Sequence, residues 1–265
     1  MSDVEYRLSD QLTVTNDGAV RIVTLNRPES LNAVSPQLQQ SLVAVWSQIA
    51  ADREARAVVL TGAGKAFSAG GDLDNFLLQH EDVERRRASL RNARRLADEM
   101  IGFHLPVVAA VNGPAVGLGA TLAVLSDIVV MSEKSYLADT HVLVGLVAGD
   151  GGAAFWPLLT GLLRAKEMLL LGSRVSPEEA KSLGLANRVV PAEDLMTESL
   201  ELAKRLAALP PQAIQDTKRS LNIHLKTAMN TVLDFSLATE SESFGTPEVA
   251  AAVAKIRAKK RDQQT

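Results

Sequence analysis

Apolar and polar residues alternate from Ala19 to Leu25 (AVRIVTL), which predicts a half-buried strand. Three later runs, Arg56–Gly62 (RAVVLTG), Pro106–Gly113 (PVVAAVNG) and Asp127–Ser132 (DIVVMS), are apolar almost throughout. Strands of that kind need both faces covered. Between them the period lengthens. Ser35 is placed as an N-cap and Pro36 at the first helical position, and Leu38, Leu42, Val45, Trp46 and Ile49 then share one face. The loop NRPESLNAV precedes this helix, with Pro28 as a breaker. Glu81–Phe103 predicts another helix, with Val83, Leu90, Leu96, Met100 and Ile101 as its apolar stripe. The recurring strand–turn–helix unit predicts a layered α/β fold. After Pro191 the pattern is helical to the end, interrupted at Pro210-Pro211 and closing in a basic helix after Gly245. These last helices carry much apolar surface, which packing on the core or on a neighbouring subunit would bury.

Composition narrows the class. The 265 residues are 46% hydrophobic, enough for one ample core. A net charge of −3 gives no general attraction for nucleic acid or an anionic membrane. There is no cysteine, so disulfides, thiolate metal sites and a thiol nucleophile are excluded. The four histidines (His80, His104, His141, His224) have no metal-ligand spacing, so no metal is expected. The N-terminus is polar and lacks an apolar signal core, and no apolar run approaches the ~20 residues that span a bilayer. A soluble cytoplasmic protein is expected. Arg85, Arg86, Arg87, Arg91, Arg94 and Arg95 could form a nucleic-acid face or a solvated helix face. No aromatic residues interleave them, which favours the solvated face.

The chemistry points to two glycine turns that follow apolar strands, TGAGKAFSAGGDL (Thr61–Leu73) and NGPAVGLGATL (Asn112–Leu122). Sheets of this class bind ligands at the carboxyl ends of their strands. Two adjacent turns could each direct one backbone N–H to a common oxygen, forming an oxyanion hole; they could equally be ordinary tight turns.

Taken in order, LNRPESLNAVS, GAGKAFSAGGDL, LPVVAAVNGPAVGLGATLAVLSDIVVMSEKS, GLVAGDGGAAFWPLLTG and LLGSRVSPEEAKSLGLANRVVP make the chain resemble the crotonase (enoyl-CoA hydratase/isomerase) family over nearly its whole length. The resemblance implies a spiral of repeated ββα units in residues 1–195, which would hold an acyl-CoA site. It implies a helical trimerisation region in residues 196–265, which would also close the CoA site and build a homotrimer or hexamer. It implies an acyl-CoA thioester as ligand, with no cofactor beyond the coenzyme A of the substrate. The thioester oxygen would meet the N–H groups of Ala69 and Leu118. Gly70, Gly71, Asp72 and Leu73, together with Glu29, Ser30, Leu31 and Gly117, would line the binding channel. Lys255, Arg257 or Lys259 could meet the CoA phosphates, or the basic tail could simply be solvated. Asp72 would order its turn, and Asp127 would be structural.

One departure bears on the reaction. In typical hydratases of the family two glutamates hold water and move protons, and the resemblance places them at Thr121 and His141. Thr121 can bind water or substrate but cannot serve as a base near neutral pH. His141 can, since an unperturbed imidazole titrates near pH ~6.5, or it can be a partly buried residue bonded to nearby backbone. Asp150 is the other candidate; some members carry a catalytic aspartate one position earlier, where this chain has Gly149. Asp150 could instead cap a helix beginning near Gly151. Asp139 ranks below both. Hydration of a 2-enoyl-CoA to a 3-hydroxyacyl-CoA by Asp150 and His141 is the expected reaction. Isomerisation, hydrolysis and decarboxylation are alternatives, as is a catalytically silent acyl-CoA or RNA binder. Phe76, Leu77 and Leu78 could wall the acyl pocket or belong to the core.

Overall fold

The protein is described here by a computed structural model that covers residues 5–262, with side chains to residue 258. A hairpin of β1 (Leu12–Asp17) and β2 (Val20–Leu25) opens the chain, and α1 (Pro36–Ala51) follows. The Ser35 hydroxyl accepts the Leu38 N–H at 3.1 Å, the cap its sequence position predicts. Then come β3 (Ala57–Gly62), α2 (Leu73–Glu81), α3 (Val83–Gly102), β4 (Val107–Val111), β5 (Pro114–Val116) and α4 (Leu118–Val124). The core continues through β6 (Ile128–Ser132), β7 (Tyr136–Ala138), α5 (Gly152–Thr160), α6 (Leu162–Leu171), β8 (Arg174–Val175), α7 (Pro177–Leu183) and β9 (Arg188–Val190). Four helices close the chain: α8 (Leu195–Ala207), α9 (Pro211–Ala228), α10 (Asp234–Phe244) and α11 (Pro247–Asp262).

Two sheets form the spiral. The larger has the order β1-β2-β3-β4-β6-β9, antiparallel only at β1–β2. The smaller joins β5, β7 and β8, and the bridges Val34–Gly71 and Ser68–Ala115 extend its pattern toward the first half of the chain. Each spiral turn thus runs from a strand of the large sheet, through a short second-layer segment, into a helix. β4–β5–α4 shows the unit most plainly.

Alternation inside the central strands explains their unbroken apolar character. Val58 and Leu60 face the main core with α1 and α3, whereas Ala57 and Val59 face a second core built with Leu195, Leu202 and Ala203 of α8. The expected division at residue 195 meets this packing directly. It falls at the first residue of α8, and α8 covers the outer face of the sheet. Asp127 is structural as expected: its Oδ2 accepts the Val107 N–H and the Lys218 ammonium, each at 2.7 Å, tying α9 to the start of the sheet.

One helical expectation is revised. The helix expected from Glu81 is broken at Asp82, whose Oδ1 accepts the N–H groups of Glu84 and Arg85 and starts α3 afresh; Glu81 ends α2. A π-helical turn, Met229–Leu233, fuses α9 and α10 into one run. Arginines of α3 are engaged within the chain. Arg94 pairs with Asp234 at 2.8 Å, Arg87 pairs with Glu84 at 2.7 Å, and Arg86 donates to the carbonyls of Gln79, His80 and Ser241. Among the described residues no helix is long and apolar enough to cross a membrane.

Candidate active site

The two glycine turns lie against each other. Gly70 has φ +84°, and a Cβ there would meet the Val116 carbonyl oxygen at 2.6 Å, so only glycine lets the turns approach this closely. Gly117 has φ +53° and lies beneath the His141 ring, where a Cβ would come within 3.3 Å of Cε1.

Backbone pairing decides which N–H groups are free. The Ala69 N–H, expected to face a ligand, is donated to the Leu31 carbonyl at 2.9 Å. That expectation is corrected: this donor is occupied. In the parallel bridge Val34–Gly71, Val34 donates to the Gly70 carbonyl and accepts from the Asp72 N–H, which turns the Gly71 N–H the other way. Among the described residues neither the Gly71 nor the Leu118 N–H has an acceptor.

Two cavities meet at these turns. A channel of about 720 Å³ is lined by Glu29, Ser30 and Leu31 and by the whole Ala69–Leu73 segment, with Gly117 opposite. Arg257 of α11 also lines it and pairs with Asp74. Lys255 is exposed and is not among the lining residues; the Lys259 side chain lies outside the described residues. Asp72 orders the turn as expected, accepting the Asp74 N–H at 3.0 Å and pairing with Arg27 at 3.0 Å. Behind the channel is a chamber of about 50 Å³, whose wall includes Leu118, Asp150 and Glu240. Gly71, Phe76 and His141 line both spaces, so the chamber is the inner end of the channel. Of the proposed apolar wall, Phe76 is in place, packed on Phe244 with ring centroids 5.5 Å apart, whereas Leu78 points outward.

The buried titratable groups meet at this inner end. Asp139, His141, Asp150 and Glu240 are all buried. His141 Nδ1 lies 2.6 Å from Asp139 Oδ1, and Nε2 lies 3.5 Å from Asp150 Oδ2 and 4.0 Å from Glu240 Oε1. Burial opposes the imidazolium, but Asp139 and then Asp150 outweigh it and hold His141 well above the usual imidazole range. Burial likewise works against the Asp139 anion, and His141 overcomes it, so Asp139 is held low. Glu240 is pushed well above the carboxylate range, first by burial and then by Asp150 and Asp139, with His141 opposing. Asp139, His141 and Asp150 could also ligate a cation, since their donor atoms lie within 4.8 Å of one another. A cation would have to break the 2.6 Å hydrogen bond between Asp139 and His141, so the donor set fits a proton relay better than a metal site.

Asp150 is not a helix cap. α5 begins after Gly151 with no side-chain cap, leaving the Asp150 carboxyl turned into the chamber. Thr121 is corrected in role: it lines neither cavity, and its hydroxyl instead donates a long hydrogen bond, 3.4 Å, to Asp150 Oδ1. Glu240 was not expected. Its signal was present, because it falls on the buried stripe Leu233, Leu237, Phe244 of a helix that should bury no charge.

Glu240 makes a stability prediction. The folded chain holds a proton that the unfolded chain releases near pH 4.5, so this residue costs stability as pH rises above that value. Glu240→Gln should raise Tm at pH 7.5 by on the order of a few degrees, with the gain vanishing below about pH 4.5. An equal Tm for the two proteins across pH 4–8 would show that Glu240 is not held protonated.

The parallel spiral with its second layer and terminal helices is the architecture of the crotonase class. The chain belongs to the enoyl-CoA hydratase/isomerase family, whose model matches residues 15–261. It is similar to the crystal structure of an enoyl-CoA hydratase/isomerase from Mycobacterium paratuberculosis, with 48% identity, a TM-score of 0.91 and coverage of 94% of this chain and 100% of that one. A short-chain-enoyl-CoA hydratase of Clostridium acetobutylicum is 34% identical over 239 residues, 89% of this chain and 88% of its own length. The structure of a β-diketone hydrolase from the cyanobacterium Anabaena, bound to (S)-3-oxocyclohexyl acetic acid, is 26% identical with a TM-score of 0.82, covering 89% of this chain and 94% of that one.

Proposed function

We propose that this chain adds water to a 2-enoyl-CoA, and that His141 and Asp150 carry the protons in place of two glutamates. The observation that carries this reading is the buried Asp139–His141–Asp150 relay beside two unpaired backbone N–H groups. The CoA portion lies in the 720 Å³ channel, near Arg257, and the thioester carbonyl reaches the turns. Gly71 and Leu118 donate to its oxygen, which stabilises the enolate that forms when water attacks C3; each donor of this type contributes roughly 3–4 kcal/mol to the transition state. Asp150 takes a proton from the attacking water, and the new C3–O bond forms. The π electrons move to the thioester, and His141 Nε2 gives its proton to C2. One water is consumed, and Asp150 returns its proton to His141 across 3.5 Å. Asp139 holds the ring and balances the imidazolium.

Incubation with crotonyl-CoA tests this directly. Loss of the conjugated thioester absorbance with 3-hydroxybutyryl-CoA as product is expected, and an intact substrate beside normal binding of butyryl-CoA overturns hydration. A second reading rests on the same relay. A base that deprotonates water can also drive hydroxide onto a ketone, and the Anabaena neighbour is a β-diketone hydrolase. C–C cleavage of a cyclic 1,3-diketone, with no turnover of crotonyl-CoA, would select it.

Assembly belongs to the same proposal. Leu163, Leu170, Leu171, Ile223 and Phe235 are more than 60% exposed, which is much apolar surface for an isolated chain. A homotrimer, or a hexamer made of two, would cover it. Analytical ultracentrifugation should give one of these masses, and a monomer at micromolar concentration would overturn the assignment.

A further inference from the structure

The inner chamber sets buried amides among apolar residues such as Phe76, Leu90, Leu118 and Phe244. α2 is inverted: it buries Asn75 and Gln79, one turn apart, and leaves Leu78 44% exposed. Both amides line the chamber. Among the described residues, the buried Asn75 Oδ1, Gln79 Oε1 and Glu240 Oε2 have no hydrogen-bond partner. Their residues are 9%, 3% and 4% exposed. Burying an unpartnered polar atom is costly, so a helix that turns two amides inward and a leucine outward places them against something polar.

Size and charge limit what that is. A chamber of 50 Å³ holds on the order of four waters, which is a few non-hydrogen atoms. Asp139 and Asp150 already stand against one imidazolium, so another anion is disfavoured there. The two amides can both donate and accept. We propose that the acyl group this site takes is short and ends in a neutral hydrogen-bonding substituent, a hydroxyl or a carboxamide, bound by Asn75 and Gln79. The inference rests on the acyl-CoA reading of the channel but not on which reaction follows.

Unreactive saturated thioesters separate the two. Calorimetry on the full chain should show 4-hydroxybutyryl-CoA binding at least tenfold more tightly than butyryl-CoA, because a site built for a hydroxyl rejects the analogue that lacks it. Gln79→Met and Asn75→Leu should each erase most of that ratio, chiefly by improving butyryl-CoA. Equal or tighter binding of butyryl-CoA to the wild type overturns the inference and leaves the thioester reading intact. A preference that survives both substitutions overturns the assignment to these amides. If neither thioester binds, the acyl-CoA reading fails and the inference fails with it. Should Asn75→Leu not fold, Gln79→Met, equal in length, decides alone.

Discussion

Asp150→Asn lowers kcat by about 10³-fold or more and leaves the Kd for butyryl-CoA within about twofold. The side chain is buried, lines the chamber and lies 3.5 Å from His141 Nε2. It makes no helix cap whose loss would loosen α5. Asparagine keeps its shape and can still accept from Thr121, so what disappears is the capacity to take a proton from water. A parallel loss of binding would move Asp150 from proton transfer to ligand positioning. Turnover within threefold of wild type would remove it from the mechanism and leave His141 to act alone.

The second large effect is at Asp139, which does not line either cavity and acts through His141. Asp139→Asn should lower kcat by on the order of 10²–10⁴, because the imidazole loses the partner that fixes its orientation and its charge. The pH profile distinguishes this from simple damage. His141 must be protonated to deliver a proton to C2, so activity falls as pH rises through its folded pKa. Burial already works against that charge, and Asp139 is the largest group opposing it. Removing Asp139 therefore moves the alkaline limb to lower pH. A reduced rate with an unmoved limb would mean that His141 is not the acid.

Much of the frame was legible in the chain. The apolar runs at Ala57–Gly62 and Val107–Val111 are buried on both faces, so their composition alone implies helices on either side. Ser35 caps α1 as its position suggests, and Asp127 is structural, though through the distant Val107 and Lys218. The site was less legible because its decisive features are not local. The choice between the Ala69 and Gly71 N–H groups depends on a bridge to Val34, more than thirty residues earlier. The role of Glu240 depends on α10 returning to the chamber from the far end of the chain. The start of α3 turned on Asp82 competing as a cap, a local signal masked by the charged run around it.

The long contact between Thr121 and Asp150 also ties position 121 to the charges around position 141. The resemblance places the glutamates of ordinary hydratases at 121 and 141. Thr121→Glu by itself would press a new carboxyl against Asp150, which the present hydroxyl reaches at 3.4 Å. His141→Glu by itself would remove the one cation among Asp139, Asp150 and Glu240. Each substitution taken singly therefore unbalances the buried charges, so positions 121 and 141 are coupled and the effect of changing both should differ from the sum of the two single changes.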